Sequence, residues 1–141
     1  SYLRINDAAE MVVITGRRRM GKTLLSLHFS KEKPHLYLFV SKKSELLLCK
    51  EFIKQIKLVF DIPIFGEITQ FKDVFALLLE LAKTRPFVLI IDEFQEFYNI
   101  NPSLYSDVQQ LWDINKFESK IQVLFLGSVY SLMHKIFEGS K

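Results

Sequence analysis

Gly16-Arg17-Arg18-Arg19-Met20-Gly21-Lys22-Thr23 reads G-x-x-x-x-G-K-T, a pattern that dictates its own surroundings. Two glycines at this spacing let the backbone turn tightly and bring several N–H groups onto one anionic point. A helix opening directly behind them adds its positive end. Such a loop needs a strand to deliver it and a helix to carry the chain away. Met11-Val12-Val13-Ile14-Thr15 is a short β-branched run ending at Gly16, and Leu24, Leu25, Leu27 and His28 follow at helical spacing. The simpler alternative, a glycine turn with basic residues in a surface loop, leaves both flanks unexplained.

The chemistry follows from the residue types. Lys22 would reach the β- and γ-phosphates of a nucleotide and the Thr23 hydroxyl would bind Mg²⁺, so Gly16 to Thr23 together with Leu24 form the expected nucleotide-binding stretch. Arg17, Arg18 and Arg19 fill the variable positions. They are placed to neutralise phosphate, to stabilise transition-state charge, or to face outward onto another domain.

The rest of the chain is the size of one domain. Its 141 residues are 49% hydrophobic and 25% charged, within the range of a globular protein. The formal charge of +3 does not by itself argue for a nucleic-acid or membrane partner. Cys49 is the single cysteine, which excludes an internal disulfide framework and fits a reducing cytoplasm. No apolar run approaches membrane-spanning length. We find no internal repeat and no linker, so residues 1–141 read as one unit.

Along the chain, the first helix would end at Lys31-Glu32-Lys33-Pro34, and His35-Leu36-Tyr37-Leu38-Phe39-Val40 has strand length. A helix is expected over 44–60, capped by Ser44, with Leu46, Leu47, Phe52, Ile53, Ile56 and Phe60 as its apolar face. Lys50, Lys54 and Lys57 lie in one stripe on it, read as a solvated face rather than a nucleic-acid stripe. A second helix is expected over 71–83 on Phe71, Val74, Phe75, Leu78 and Leu81. Phe87-Val88-Leu89-Ile90-Ile91 and residues 121–126 are continuous apolar runs, as strands buried on both faces require. Between them Leu104, Val108, Leu111 and Trp112 mark a helix, and a further helix is expected over 129–137. Strands alternating with helices argue for an α/β fold with a mostly parallel sheet and right-handed crossovers.

Ligands of such sheets sit beyond the carboxyl ends of the strands. Gly16, Asp92 and Ser128 each lie just past a strand end. Asp92 is placed to help hold Mg²⁺. Glu93 follows it, and because neighbouring side chains of a strand diverge, it would face the γ-phosphate and act as general base on water. Ser128 is placed to contact the γ-phosphate or that water, or is a plain turn residue. Gln95 is a further polar residue nearby, for which a solvated helix position is the simpler reading. His28, His35 and His134 lack metal-ligand spacing and read as structural. Asn115-Lys116-Phe117-Glu118 loosely matches the guanine-binding N-K-x-D pattern. It precedes the strand at 121–126, at the wrong end of the sheet, so adenine is favoured.

With these residues placed, the chain resembles the archaeal-type ATPase family, of the STAND class of P-loop NTPases related to the AAA+ ATPases. The matching pieces are GRRRMGKT at 16–23, LIIDEFQEF at 89–97 and LGSVYSLM at 126–133, and the resemblance spans about residues 11 to 137. It implies a three-layer sheet of order 5-1-4-3-2, Lys22 and Thr23 on phosphate and Mg²⁺, Asp92 as the Walker B residue, Glu93 as the catalytic carboxylate and Ser128 near the sensor position. Two departures stand out. Residues 1–10 lack the family's Gly-Arg-Glu-like motif, and the chain stops before the fifth strand, helical lid and winged-helix region. It therefore reads as the core of a longer ATPase whose partner, protein or nucleic acid, is reached through other domains. Without strand five the P-loop strand would be an open edge, inviting a homodimer.

The expected function is Mg²⁺-dependent ATP hydrolysis. The alternatives are a nucleotide-operated switch with little hydrolysis and, ranked below it, a nucleic-acid-binding module using the lysine stripe.

Overall fold

β3 (Phe87–Asp92) and β4 (Ile121–Gly127) occupy the middle of a four-stranded parallel sheet of order β1-β4-β3-β2. Their position follows from composition. Every residue of β3 is buried, and all but one of β4, as continuous apolar runs require. β1 (Glu10–Thr15) and β2 (His35–Phe39) stand at the two ends of that order and alternate more exposed positions. The computed structural model of the chain describes residues 9–15 and 34–128, and the strand order within them is the 1-4-3-2 portion of the expected sheet.

The parallel register brings the carboxyl ends into line. Thr15 pairs with Gly127, Phe39 with Asp92, and Ile91 with Phe125. One face of the sheet (Leu89, Ile91, Val123 and Phe125 among others) packs with α1 (Glu45–Phe60), α2 (Phe71–Leu81) and α4 (Leu104–Asn115) in the main core. The other face gathers Val88, Ile90, Leu124 and Leu126 with Val12, Ile14 and Tyr37. The helices expected over 23–30 and 129–137 lie outside the described residues, as does the segment 1–8.

α1 begins as expected. Ser44 accepts a hydrogen bond from the Leu47 N–H at 3.3 Å, satisfying one of the helix's orphan donors. Its buried face is Leu48, Cys49, Phe52, Ile56 and Phe60, however. Leu46 and Leu47, expected in that face, are 39% and 49% exposed. At 100° per residue Leu47 falls nearly opposite Cys49 and Phe52, so in a run of three leucines only the helical phase decides which is buried. α2 stops at Leu81 rather than Lys83. Lys83 N–H bonds to Glu80 O and Thr84 N–H to Leu81 O, three-residue spacings that tighten and end the helix before Pro86.

The loop after β3 is more ordered than the apolar spacing suggested. It forms a 3₁₀ turn (Phe94–Glu96) and a short helix α3 (Phe97–Ile100). Phe94 is fully buried, with its ring centroid 4.5 Å from that of Phe125 and 5.3 Å from that of Tyr105. Phe97 lies 4.9 Å from Phe71. Two anchored aromatics three residues apart hold the turn onto the core, and the Tyr105 hydroxyl donates to Phe94 O and Gln95 O. Glu45, the first residue of α1, ties the neighbouring elements together. Its carboxylate accepts from the Phe71 N–H at 2.7 Å and from Asn101 Nδ2 at 3.1 Å, and so supplies the cap that Gln70 does not give α2.

Candidate functional site

Asp92 is the last residue of β3 and is 5% exposed. Its Oδ2 accepts from the Tyr37 hydroxyl at 2.5 Å, and its Oδ1 from the Glu93 N–H at 2.9 Å. Tyr37 sits on the adjacent strand β2, paired with Ile90 and therefore on the same face as Asp92. Burial is the main reason its phenol is pushed upward, followed by the hydrogen bond and charge of Asp92 and the charge of Glu93. Tyr37 therefore stays a protonated donor, and it orients the carboxylate. Only its place in an apolar strand was visible in the sequence; its partner follows from the β2–β3 pairing.

Glu93 does not continue the strand. Its backbone is left-handed, φ 56° and ψ 42°, which costs a non-glycine residue about 1 kcal/mol or more. The cause is local. Asp92 is fixed by the sheet and Phe94 by the aromatic core, so the turn between them falls on Glu93. Its side chain is 4% exposed, and its Oε1 accepts from Gln95 Nε2 at 2.9 Å and from Ser128 Oγ at 3.0 Å. Glu93 and Ser128, expected at one edge from their strand ends, thus meet directly. Gln95 joins them and lies 3.5 Å from Ser128 Oγ. The solvated position expected for Gln95 is corrected here: it is 2% exposed, because the 3₁₀ turn folds it beneath the edge of the sheet.

Gly16, Arg17, Arg18, Arg19, Met20, Gly21, Lys22, Thr23 and Leu24 lie outside the described residues. The strand before them, β1, ends at Thr15 beside Gly127, one residue before Ser128. A cavity of about 590 Å³ opens past the carboxyl ends of β2 and β3, lined by Lys42, Lys43, Ser44, Gln95, Glu96, Asn99 and Ile100. Lys43 is paired with Glu51. Among the described residues no three His, Cys, Asp or Glu side chains gather to cage a metal. Mg²⁺ needs no such cage, being held by one or two carboxylates together with substrate phosphates, and the oriented Asp92 fits that role.

The other candidates lie elsewhere. Lys50, Lys54 and Lys57 are all exposed along α1. Residues 115–118 precede β4 at the amino end of the sheet. There Asn115 Nδ2 donates to Leu111 O, Lys116 pairs with Asp113, and Glu118 pairs with Lys83. His35 stands exposed at the start of β2, while His28 and His134 lie outside the described residues. Among the described residues no helix is long and apolar enough to cross a membrane.

Comparison with known proteins adds the following. Residues 5–135 match the family described as AAA domain. An uncharacterized protein of Methanocaldococcus jannaschii is 28% identical over 124 residues, which cover 88% of this chain and 26% of that protein. In structure, the chain is similar to a Walker-type ATPase of Pyrococcus abyssi, with a TM-score of 0.69 at 18% identity over 93% of this chain and 44% of that one. It is also similar to Cdc6p from Pyrobaculum aerophilum, with a TM-score of 0.58 at 17% identity over 94% of this chain and 36% of that one. The chain thus spans about a quarter of the curated relative and less than half of either solved chain.

Proposed function

The chain belongs to the AAA domain family, and from that premise we propose that it is the core of a Mg²⁺-dependent ATPase of the archaeal-type, STAND-class branch, whose nucleotide cycle drives or switches attached domains. The loop from Gly16 to Thr23, with Leu24, takes the triphosphate; Lys22 pairs with its β- and γ-phosphates; Thr23 and Asp92 hold the metal. Bound Mg²⁺ would neutralise charge on the phosphates. Glu93 takes a proton from the attacking water, and Ser128 keeps that carboxylate in place.

The observation that carries this reading is the separate restraint of two adjacent buried acids. Among the described residues Asp92 is held by Tyr37 and by the Glu93 N–H, and Glu93 by Gln95 and Ser128. Two carboxylates with different partners are suited to two different tasks, one binding metal and one moving a proton. A reducing cytoplasm, a protein or nucleic-acid partner reached through other domains, and self-pairing along the β1 edge belong to the same proposal.

Calorimetry with Mg·ATP and Mg·GTP, alongside Lys22→Ala, tests it. ATP binding that is lost in Lys22→Ala supports the site. Turnover that then falls by about a hundredfold in Glu93→Gln supports hydrolysis. Binding untouched by Lys22→Ala would sink the assignment, and binding without turnover in the unaltered protein would leave a nucleotide switch.

A further inference from the structure

Gln95 is buried at 2% exposure, yet among the described residues its Oε1 has no hydrogen-bond partner. Leaving a buried amide oxygen unmatched is costly, so this acceptor calls for a partner. The amide's orientation is fixed by chemistry. A carboxylate oxygen accepts and does not donate, so the end of the amide 2.9 Å from Glu93 Oε1 is Nε2. The oxygen is the end left over. Gln95 also lines the cavity of about 590 Å³ beside the carboxyl edge of the sheet, a space large enough to admit water.

We propose that Gln95 is a catalytic residue: its Oε1 accepts one hydrogen of the attacking water while Glu93 accepts the other. The proposal rests on the hydrolytic reading of Glu93. A water molecule has two hydrogens to place, and a single carboxylate leaves its orientation free about one axis. A second acceptor, rigidly joined to the first by the Nε2–Glu93 bond, removes that freedom and aims a lone pair. As the water oxygen bonds to the γ-phosphorus, the bond from that phosphorus to the β–γ bridging oxygen breaks and ADP leaves with the electron pair. One water proton passes to Glu93 and then to solvent. The other, donated to Gln95 Oε1, stays on the new phosphate.

The test is Gln95→Met, which keeps chain length and removes both amide functions. We expect kcat for ATP to fall by about a hundredfold while Mg·ATP affinity changes by less than about twofold, the signature of a contact made only in the transition state. Affinity for Mg·ADP with vanadate should fall in parallel. Turnover in Gln95→Met within about threefold of the unaltered protein would overturn the proposal and leave the hydrolytic reading standing. An unaltered protein that binds ATP without turning it over would overturn both. Should Gln95→Met fail to fold, a crystal structure of the unaltered protein with Mg·ADP and aluminium fluoride decides. A water within about 3.2 Å of both Gln95 Oε1 and a Glu93 carboxylate oxygen supports the role. A protein donor on Oε1 instead would overturn it.

Discussion

The Tyr37 hydroxyl, on the strand beside β3, donates to Asp92 Oδ2 across 2.5 Å. The acid expected to serve the metal is therefore aimed by a residue of a different strand. Tyr37→Phe removes the donor and leaves the ring. We expect a loss of about 1.5–3 kcal/mol in stability, the range for hydrogen bonds to charged groups, and Mg²⁺-dependent nucleotide affinity weaker by about tenfold, as for other outer-shell partners of metal ligands. Denaturant titration reads the first, and calorimetry with and without Mg²⁺ the second.

Ser128→Ala removes one of the two donors that Glu93 Oε1 has among the described residues and leaves Gln95 Nε2 in place. Turnover should fall by about tenfold with nucleotide affinity unchanged, since the carboxylate is loosened but retained. A steady-state ATPase assay beside calorimetry separates the two quantities. An unchanged kcat would make Ser128 a plain turn residue.

Glu45→Ala strips the start of α2 of its only side-chain acceptor among the described residues and takes the acceptor from Asn101 Nδ2 as well. We expect a cost of about 2 kcal/mol, visible as a lower denaturation midpoint. Because the hydrogen bonds of Glu45 among the described residues run to Phe71 and Asn101, nucleotide affinity should hold.

Cys49 carries a pH dependence of stability. Burial first, then the charges of Glu45 and Asp73, push its thiol from 9.0 up to about 12. Below pH 9 the thiol is neutral in both folded and unfolded chains and contributes no slope. Between about 9 and about 12 the unfolded chain releases the proton and the folded chain keeps it, so stability falls as pH rises. Denaturation midpoints measured from pH 8 to 11 should decline more steeply in the unaltered protein than in Cys49→Ala. The folded protein should also resist thiol alkylation at pH 8.

Much of this architecture was legible in the sequence because single residue types carry it. The β-branched and apolar runs at 87–91 and 121–126 allowed only central strands, and Ser44 announced α1. What escaped depends on contacts between distant segments. Leu46 and Leu47 look as apolar as Leu48, and only the core on one side of α1 separates them. Gln95 is buried because Phe94 and Phe97 pull the loop inward, and the spacing of those two rings was the available sign. Tyr37 acquires its role from pairing with a strand some fifty residues away. The left-handed backbone of Glu93 likewise follows from its fixed neighbours rather than from glutamate itself.

The shared register of β3 and β4, from Phe87 with Ile121 to Ile91 with Phe125, bears on how this chain can change length over evolutionary time. One residue inserted within β4 would turn every later side chain to the opposite face and displace Ser128 from Glu93 by about 3.3 Å, a full strand step. Insertions can be absorbed before the strand instead, around 116–118, where Phe117 is 88% exposed. Relatives should therefore differ in length ahead of β4 while the count from Ile121 to Ser128 stays constant.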